Sequence, residues 1–185
     1  LNGVYNDKTN HYYMNVNILE NSNVKYKNAN EIIDILKNGI GVIYFGFPEC
    51  PWCRNLVPIL VDTLNEYTMP FYYYNAYEIR DNKHLDDNGD IVVDKEGSKE
   101  YYEIVDILKD YLGEYSGLND NSIKRLYFPT VIFVRDGKIV GTHVDTVSSQ
   151  ENPLVPLNDE QTKELTNIYV SNIMKVLDDA CDKSC

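Results

Sequence analysis

A chain of 185 residues with 43% hydrophobic content is long and apolar enough to bury a core as one domain rather than stay disordered. Its formal net charge of −12, spread along the whole chain, argues against a nucleic-acid partner, because phosphate binding needs clustered Lys and Arg. No apolar run reaches the length of a membrane span, and four cysteines fit either redox compartment.

The chain begins at Leu1 rather than Met, as a processed product does, and any signal peptide or lipid anchor would lie upstream of it. Residues 1–23, rich in Asn and Tyr with little period, read as a polar N-terminal extension, with a short strand over 12–18 as the alternative. Residues 24–27 alternate as a short strand does. Asn28 or Asn30 then caps a helix over 31–38, whose Ile32, Ile33 and Leu36 share a face and whose stop is Gly39. The nearly continuous apolar run 41–47 predicts a strand covered on both faces. A helix over 54–67 follows, with Leu56, Ile59, Leu60 and Leu64 on one side and Pro58 expected to kink it.

Residues 71–74 form the next strand. A polar passage over 81–97 carries a turn at Asp87-Asn88-Gly89-Asp90, with Ile91, Val92 and Val93 as one arm of a hairpin. Ser98 caps a helix that places Tyr101, Ile104, Val105, Leu108 and Leu112 at helical spacing, and 113–121 returns to loop composition. Strands over 131–134 and 138–140 flank Asp136-Gly137, a hairpin on local chemistry alone. Asn158 with Gln161 resembles a capping box opening a last helix to about residue 180. Strands alternating with helices, then a hairpin and a terminal helix, indicate an α/β sheet protein.

The chemistry concentrates at Cys50-Pro51-Trp52-Cys53, where the apolar strand runs into the helix. A thiol at a helix N-terminus meets unpaired backbone N–H groups and the positive end of the macrodipole, which stabilise a thiolate. A second thiol one turn in can attack a mixed disulfide at the first, and Pro51 suits the first turn, where a missing N–H costs nothing. The alternative, half of a zinc site, needs two more ligands. Only Cys181, Cys185, His11, His84 and His143 remain, and none but the terminal Cys181/Cys185 pair is closely spaced, so redox chemistry is the better fit and no metal is expected.

Several residues beyond the dithiol carry a family resemblance. Pro58 stands five positions after Cys53, and Phe128-Pro129-Thr130 precedes an apolar strand, Asp136-Gly137 and a second strand. This order is similar to that of the thioredoxin family over about 24–74 and 123–180. The stretch from Phe45 to Arg54 most resembles the thioredoxin-like bacteriocin transport accessory proteins of Gram-positive bacteria. The resemblance implies a thioredoxin-like fold, a central mixed β-sheet flanked by helices. Residues 24–185 would form a single domain, with a hairpin/helix insertion at about 78–118 ahead of a cis Pro129. That insertion exceeds the family's connection by about thirty residues, unusual for a loop without a role. The chain departs from thioredoxin at Tyr44, where the family has a buried acid, at Gly46 and Glu49, where it has tryptophans, and at Asp145, where it has a glycine. These departures weigh against broad, efficient protein reduction.

The resemblance implies thiol–disulfide exchange with protein or peptide partners. Cys50 would be the nucleophile, its thiolate favoured by the helix end and Arg54 and opposed by Glu49, and Cys53 the more buried resolving thiol. Pro51, Trp52, Phe128 and Pro129 would bind substrate, with Trp52 either an exposed docking surface or a ring folded onto the domain. The cofactor would be none beyond a redox-active Cys50–Cys53 disulfide, restored by a separate redox partner. The location implied is extracytoplasmic, secreted or anchored through an upstream segment, with the cytoplasm left open. The other reading is a non-catalytic accessory module on the same fold, such as one serving peptide export. Cys181 and Cys185 are expected to be incidental, His84 and His143 to have packing or surface roles, and residues 86–90 to be a solvated turn.

Overall fold

In a computed structural model, residues 1–18, 20 and 22–177 are described. Cys181 and Cys185 lie outside them. Two short strands, β1 (Tyr5–Asn6) and β2 (His11–Tyr12), pair as an antiparallel ribbon, so only the first residue of the possible 12–18 strand is in strand conformation. β3 (Val24–Tyr26) leads to α1 (Ala29–Asn38). Asn28 caps that helix with a full capping box: its side chain accepts the Glu31 N–H, and Glu31 accepts the Asn28 N–H.

β4 (Gly41–Phe45) is buried at all five positions and runs into α2 (Pro51–Glu66), which continues as one helix through Pro58. β5 (Phe71–Tyr74) completes the first half of the sheet. The expected insertion contains a hairpin, β6 (Asn82–Leu85) and β7 (Ile91–Lys95), followed by α3 (Lys99–Leu108), which Ser98 caps. β8 (Thr130–Arg135) and β9 (Lys138–Val144) then form the last hairpin. Its turn holds Asp136 and Gly137 at φ 49° and 71°, the paired left-handed geometry that suits a tight hairpin. α4 (Asp159–Leu177) follows, with Asn158 and Gln161 exchanging the expected capping bonds.

The central sheet has five strands in the order β3-β5-β4-β8-β9; β3, β5 and β4 are parallel, β8 and β9 antiparallel to their neighbours. This is a mixed α/β architecture with helices flanking a mixed sheet. Alternation along the strands sorts the two faces. Tyr44 and Phe133 look toward α2 and α4, Phe133 meeting Tyr169 of α4 with ring centres 6.5 Å apart. Phe45 looks the other way and meets Tyr74, which faces Glu100 of α3. β4 is thus central and dry, and its C-terminal end delivers the dithiol. Among the described residues, no helix is long and apolar enough to cross a membrane.

Candidate active site

Cys50 is the N-cap of α2, and Pro51 opens the first turn as expected. The backbone leaves β4 through Gly46 and Phe47, whose carbonyl accepts the Cys50 N–H at 3.2 Å. The Cys50 sulfur in turn accepts the Cys53 N–H at 3.2 Å, taking up one of the unpaired donors of the helix end. Both cysteines are free thiols. Hydrogen bonding from the Cys53 side chain lowers the Cys50 thiol from its ordinary value, the Cys53 and Trp52 backbone N–H groups assist, and burial and the charge of Asp145 work against it. Cys53 moves the other way: burial, and then Cys50 itself, push its thiol far up, while the Tyr44 hydroxyl and the Phe47 backbone hold it down. The two sulfurs therefore have separated ionisation, the outer one favoured as thiolate.

The expected role of Arg54 needs correction, and the outer thiol is itself nearly covered. Cys50 is 4% exposed, against 1% for Cys53, so the outer thiol is the less covered one but does not project. The Phe128 carbonyl lies 3.8 Å from its sulfur, and the Cys53 amide closes a second side. Arg54 is turned away from the thiolate. Its Nε donates to the Met14 carbonyl at 2.7 Å, and its other nitrogens donate to the Pro48 carbonyl and the Asn2 side chain, each at 2.9 Å. Helix position fixes where a side chain starts, but three acceptors from the N-terminal segment and the preceding loop fix where this one ends. Glu49 bears on Arg54 and Tyr73, and the acid that opposes the Cys50 thiolate is Asp145.

The Phe128–Pro129 bond is cis, and both residues are buried beside Cys50. The Pro129 carbonyl accepts the Asp145 N–H at 3.0 Å, which fixes that carboxylate near the dithiol. The Phe128 ring meets Phe47 edge to face at 5.6 Å. Trp52 is half-buried and packs on the edge of the core, so of its two expected placements the folded one prevails. The structure thus brings Cys50, Cys53, Phe128 and Pro129 together, with Pro51 and Trp52 on the turn between the thiols.

Four contributors had weak or no signal in the sequence. Tyr44 is buried behind Cys53, stacked on Tyr73 at 5.4 Å, its hydroxyl an interaction partner of the inner sulfur. Gly46 makes room for that ring: a Cβ there would overlap the Tyr44 hydroxyl and lie 2.8 Å from its Cε2. Asn55 ties the first turn of α2 to a distant loop, donating to the carbonyls of Pro51 and Pro153 at 3.1 and 2.8 Å and accepting the Leu157 N–H at 3.2 Å. Finally, Val16 and Ile18 of the N-terminal segment help close an apolar cavity of about 180 Å³ that reaches Cys53, Tyr44 and Tyr73. The stretch read as a polar extension therefore forms a wall of the site.

His143 packs on Tyr169 with its Nε2 2.7 Å from the Thr146 carbonyl, and His84 pairs with Asp94 at 2.8 Å, both as ordinary structural groups. Among the described residues, no cluster of three or more His, Cys, Asp or Glu side chains is placed to hold a metal ion. Fold and site together define a mixed α/β domain with a dithiol at a helix N-terminus and, facing the outer sulfur, the carbonyl that precedes a cis-proline. Comparison with family models, with curated proteins and with solved structures finds no match to this chain.

Proposed function

We propose that this chain is a thiol–disulfide oxidoreductase of thioredoxin-like architecture, acting on protein or peptide thiols and disulfides through Cys50 and Cys53. The observation that carries the reading is the placement of the Cys50 sulfur at the start of α2, accepting the Cys53 N–H at 3.2 Å and lying 3.8 Å from the Phe128 carbonyl ahead of the cis bond. In the reductive direction the Cys50 thiolate attacks one sulfur of a substrate disulfide. The substrate S–S bond breaks, and the departing thiolate takes up a proton from solvent. Cys53 then loses its proton and attacks the Cys50 sulfur of the mixed disulfide, which releases the second substrate thiol. Two electrons pass to the substrate, and the product is a Cys50–Cys53 disulfide. Run backward, the same steps oxidise a substrate dithiol. A separate dithiol or disulfide partner resets the site.

The raised Cys53 thiol must ionise when it attacks; the Tyr44 hydroxyl beside it favours the thiolate by donating to it, and the proton passes to solvent. The resemblance to bacteriocin transport accessory proteins extends the proposal to an extracytoplasmic setting. A second reading, a non-catalytic accessory module on the same architecture, is favoured by the 4% exposure of Cys50. Insulin reduction and glutathione-buffered disulfide exchange separate the two, with Cys50→Ser as control. Activity in the wild type that is lost in Cys50→Ser supports exchange. Equal inactivity of both across redox buffers supports the accessory module.

A further inference from the structure

The segment 78–118 approaches the dithiol region through the residues that enter it. Tyr77 lies on Phe47 with ring centres 4.5 Å apart, and Arg80 lays its guanidinium on Phe128, 4.7 Å from the ring centre, and near Tyr77 at 5.5 Å. Phe47 and Phe128 are the residues whose carbonyls touch Cys50, the first through its N–H and the second at its sulfur. Arg80 therefore lies on the ring of the residue whose backbone carbonyl faces the reacting sulfur.

The charge there is unusual for this protein. In a chain of net charge −12, Arg80 stands beside a second arginine, Arg125, and the two repel. Among the described residues neither pairs with a carboxylate; the ion pairs are made by other cations, and Asp81 is taken by Lys83 at 3.0 Å. Arg80 has one long bond to the Leu126 carbonyl at 3.4 Å, and Arg125 one to the Asp81 carbonyl at 3.4 Å, while the buried Arg125 Nε has no partner. Arg125 is held by the rings of Tyr115 and Tyr127, at 4.2 and 5.9 Å. Two half-buried guanidiniums, oriented by aromatic faces and short of anionic partners, are a preformed counter-charge.

We infer that Arg80, backed by Arg125, is a specificity-determining residue that selects substrate polypeptides carrying an acidic side chain next to the exchanging cysteine. This rests on the exchange reading above and assigns the segment its role, one wall of the substrate site. An extended peptide advances about 3.3 Å per residue, so a guanidinium seated on the Phe128 ring, beyond the carbonyl that faces Cys50, meets side chains flanking the substrate cysteine rather than the cysteine itself. Asp145, whose N–H bonds to the Pro129 carbonyl, brings the opposite charge to bear on Cys50, so a bound peptide also experiences a direction. The remaining acidic surface repels acidic chains at long range, which confines their attraction to this spot.

The test uses matched peptide disulfides with Glu, Gln or Lys flanking the cysteine, measured on wild type, Arg80→Lys, Arg80→Gln and Arg80→Glu. The wild type is expected to show kcat/KM about fivefold higher for the Glu than for the Lys peptide, as a partly screened ion pair supplies, fading as salt is raised. Arg80→Lys keeps a preference, Arg80→Gln removes it, and Arg80→Glu inverts it. Each ratio is internal to one variant, so a loss of folded protein does not mimic it. The same peptides are titrated noncovalently onto Cys50→Ser and its Arg80→Glu double variant, followed by the fluorescence of Trp52, the single tryptophan. A wild type that exchanges no disulfide but binds Glu over Lys peptides sinks the exchange reading and keeps this one. Equal handling of Glu and Lys peptides in both measurements, or a preference that survives Arg80→Glu, overturns it.

Discussion

Gly46→Ala isolates the packing that supports the inner thiol. The added methyl would overlap the Tyr44 hydroxyl and Cζ and sit 2.8 Å from Cε2, far inside ordinary contact. Tyr44 cannot yield cheaply. It is 5% exposed, stacked on Tyr73 at 5.4 Å and tilted against Phe71 at 6.3 Å. Overpacking of this kind costs about 1–3 kcal/mol. For a chain of this size the melting temperature should fall by about 2–4 °C per kcal/mol, so roughly 2–12 °C in all. The decisive assay is a double-mutant cycle by denaturant unfolding. With Tyr44→Ala in place the methyl has room, and Gly46→Ala should become neutral, or stabilising by up to about 1 kcal/mol through the reduced freedom of the unfolded chain. An equal cost in both backgrounds would refute the claim that Gly46 exists to seat the Tyr44 ring.

Other perturbations act on the sulfurs themselves. Cys53→Ala removes the largest influence lowering the Cys50 thiol, so the pH midpoint of Cys50 alkylation should move up; an unchanged midpoint would contradict the coupling. Asp145→Asn deletes the charge that opposes the thiolate, and Asn tolerates the φ of 66° at that position, so the midpoint should move down without loss of fold. The two thiols also act oppositely on stability. Cys53, raised in the folded state, contributes stability that is whole below the ordinary thiol range and is lost as pH climbs above it, because the unfolded chain ionises first. Cys50, lowered in the folded state, contributes stability above that range that is lost as pH falls through its folded value. The stability of Cys53→Ala should therefore decline less steeply than that of the wild type between neutral and alkaline pH. Arg54, 7% exposed with three carbonyl or amide acceptors, should cost about 2–4 kcal/mol when changed to Met, with faster proteolysis within 1–18. Unaltered proteolysis would mean that Arg54 does not hold that segment.

Features with a local cause were legible in the sequence. The Asn28 cap with Glu31, the start of α2 at Pro51, the Asp136-Gly137 turn and the Asn158–Gln161 box each depend on residues a few positions apart. The apolar alternation and runs likewise marked β4 and β8. What stayed hidden depends on contacts made across the fold. Arg54 sits correctly for a thiolate partner by helix position, yet acceptors at Asn2 and Met14, some forty or more residues away in sequence, turn it elsewhere. The N-terminal stretch looked like a polar extension because its strands are two residues each, too short for a period to show. Asp145 stood out as a departure from the thioredoxin pattern, but its effect on Cys50 needed the Pro129 carbonyl to place it. Asn55 carries no pattern at all, and two of its three bonds reach a loop about a hundred residues on.

Alkylation of the two cysteines as a function of pH, resolved by mass spectrometry, tests the central claim most directly. Cys50 is predicted to react with a midpoint below the ordinary thiol value of about 8.5, while Cys53 stays unreactive through the same range. A Cys50 midpoint at or above that value, or two cysteines that react in parallel, would contradict it.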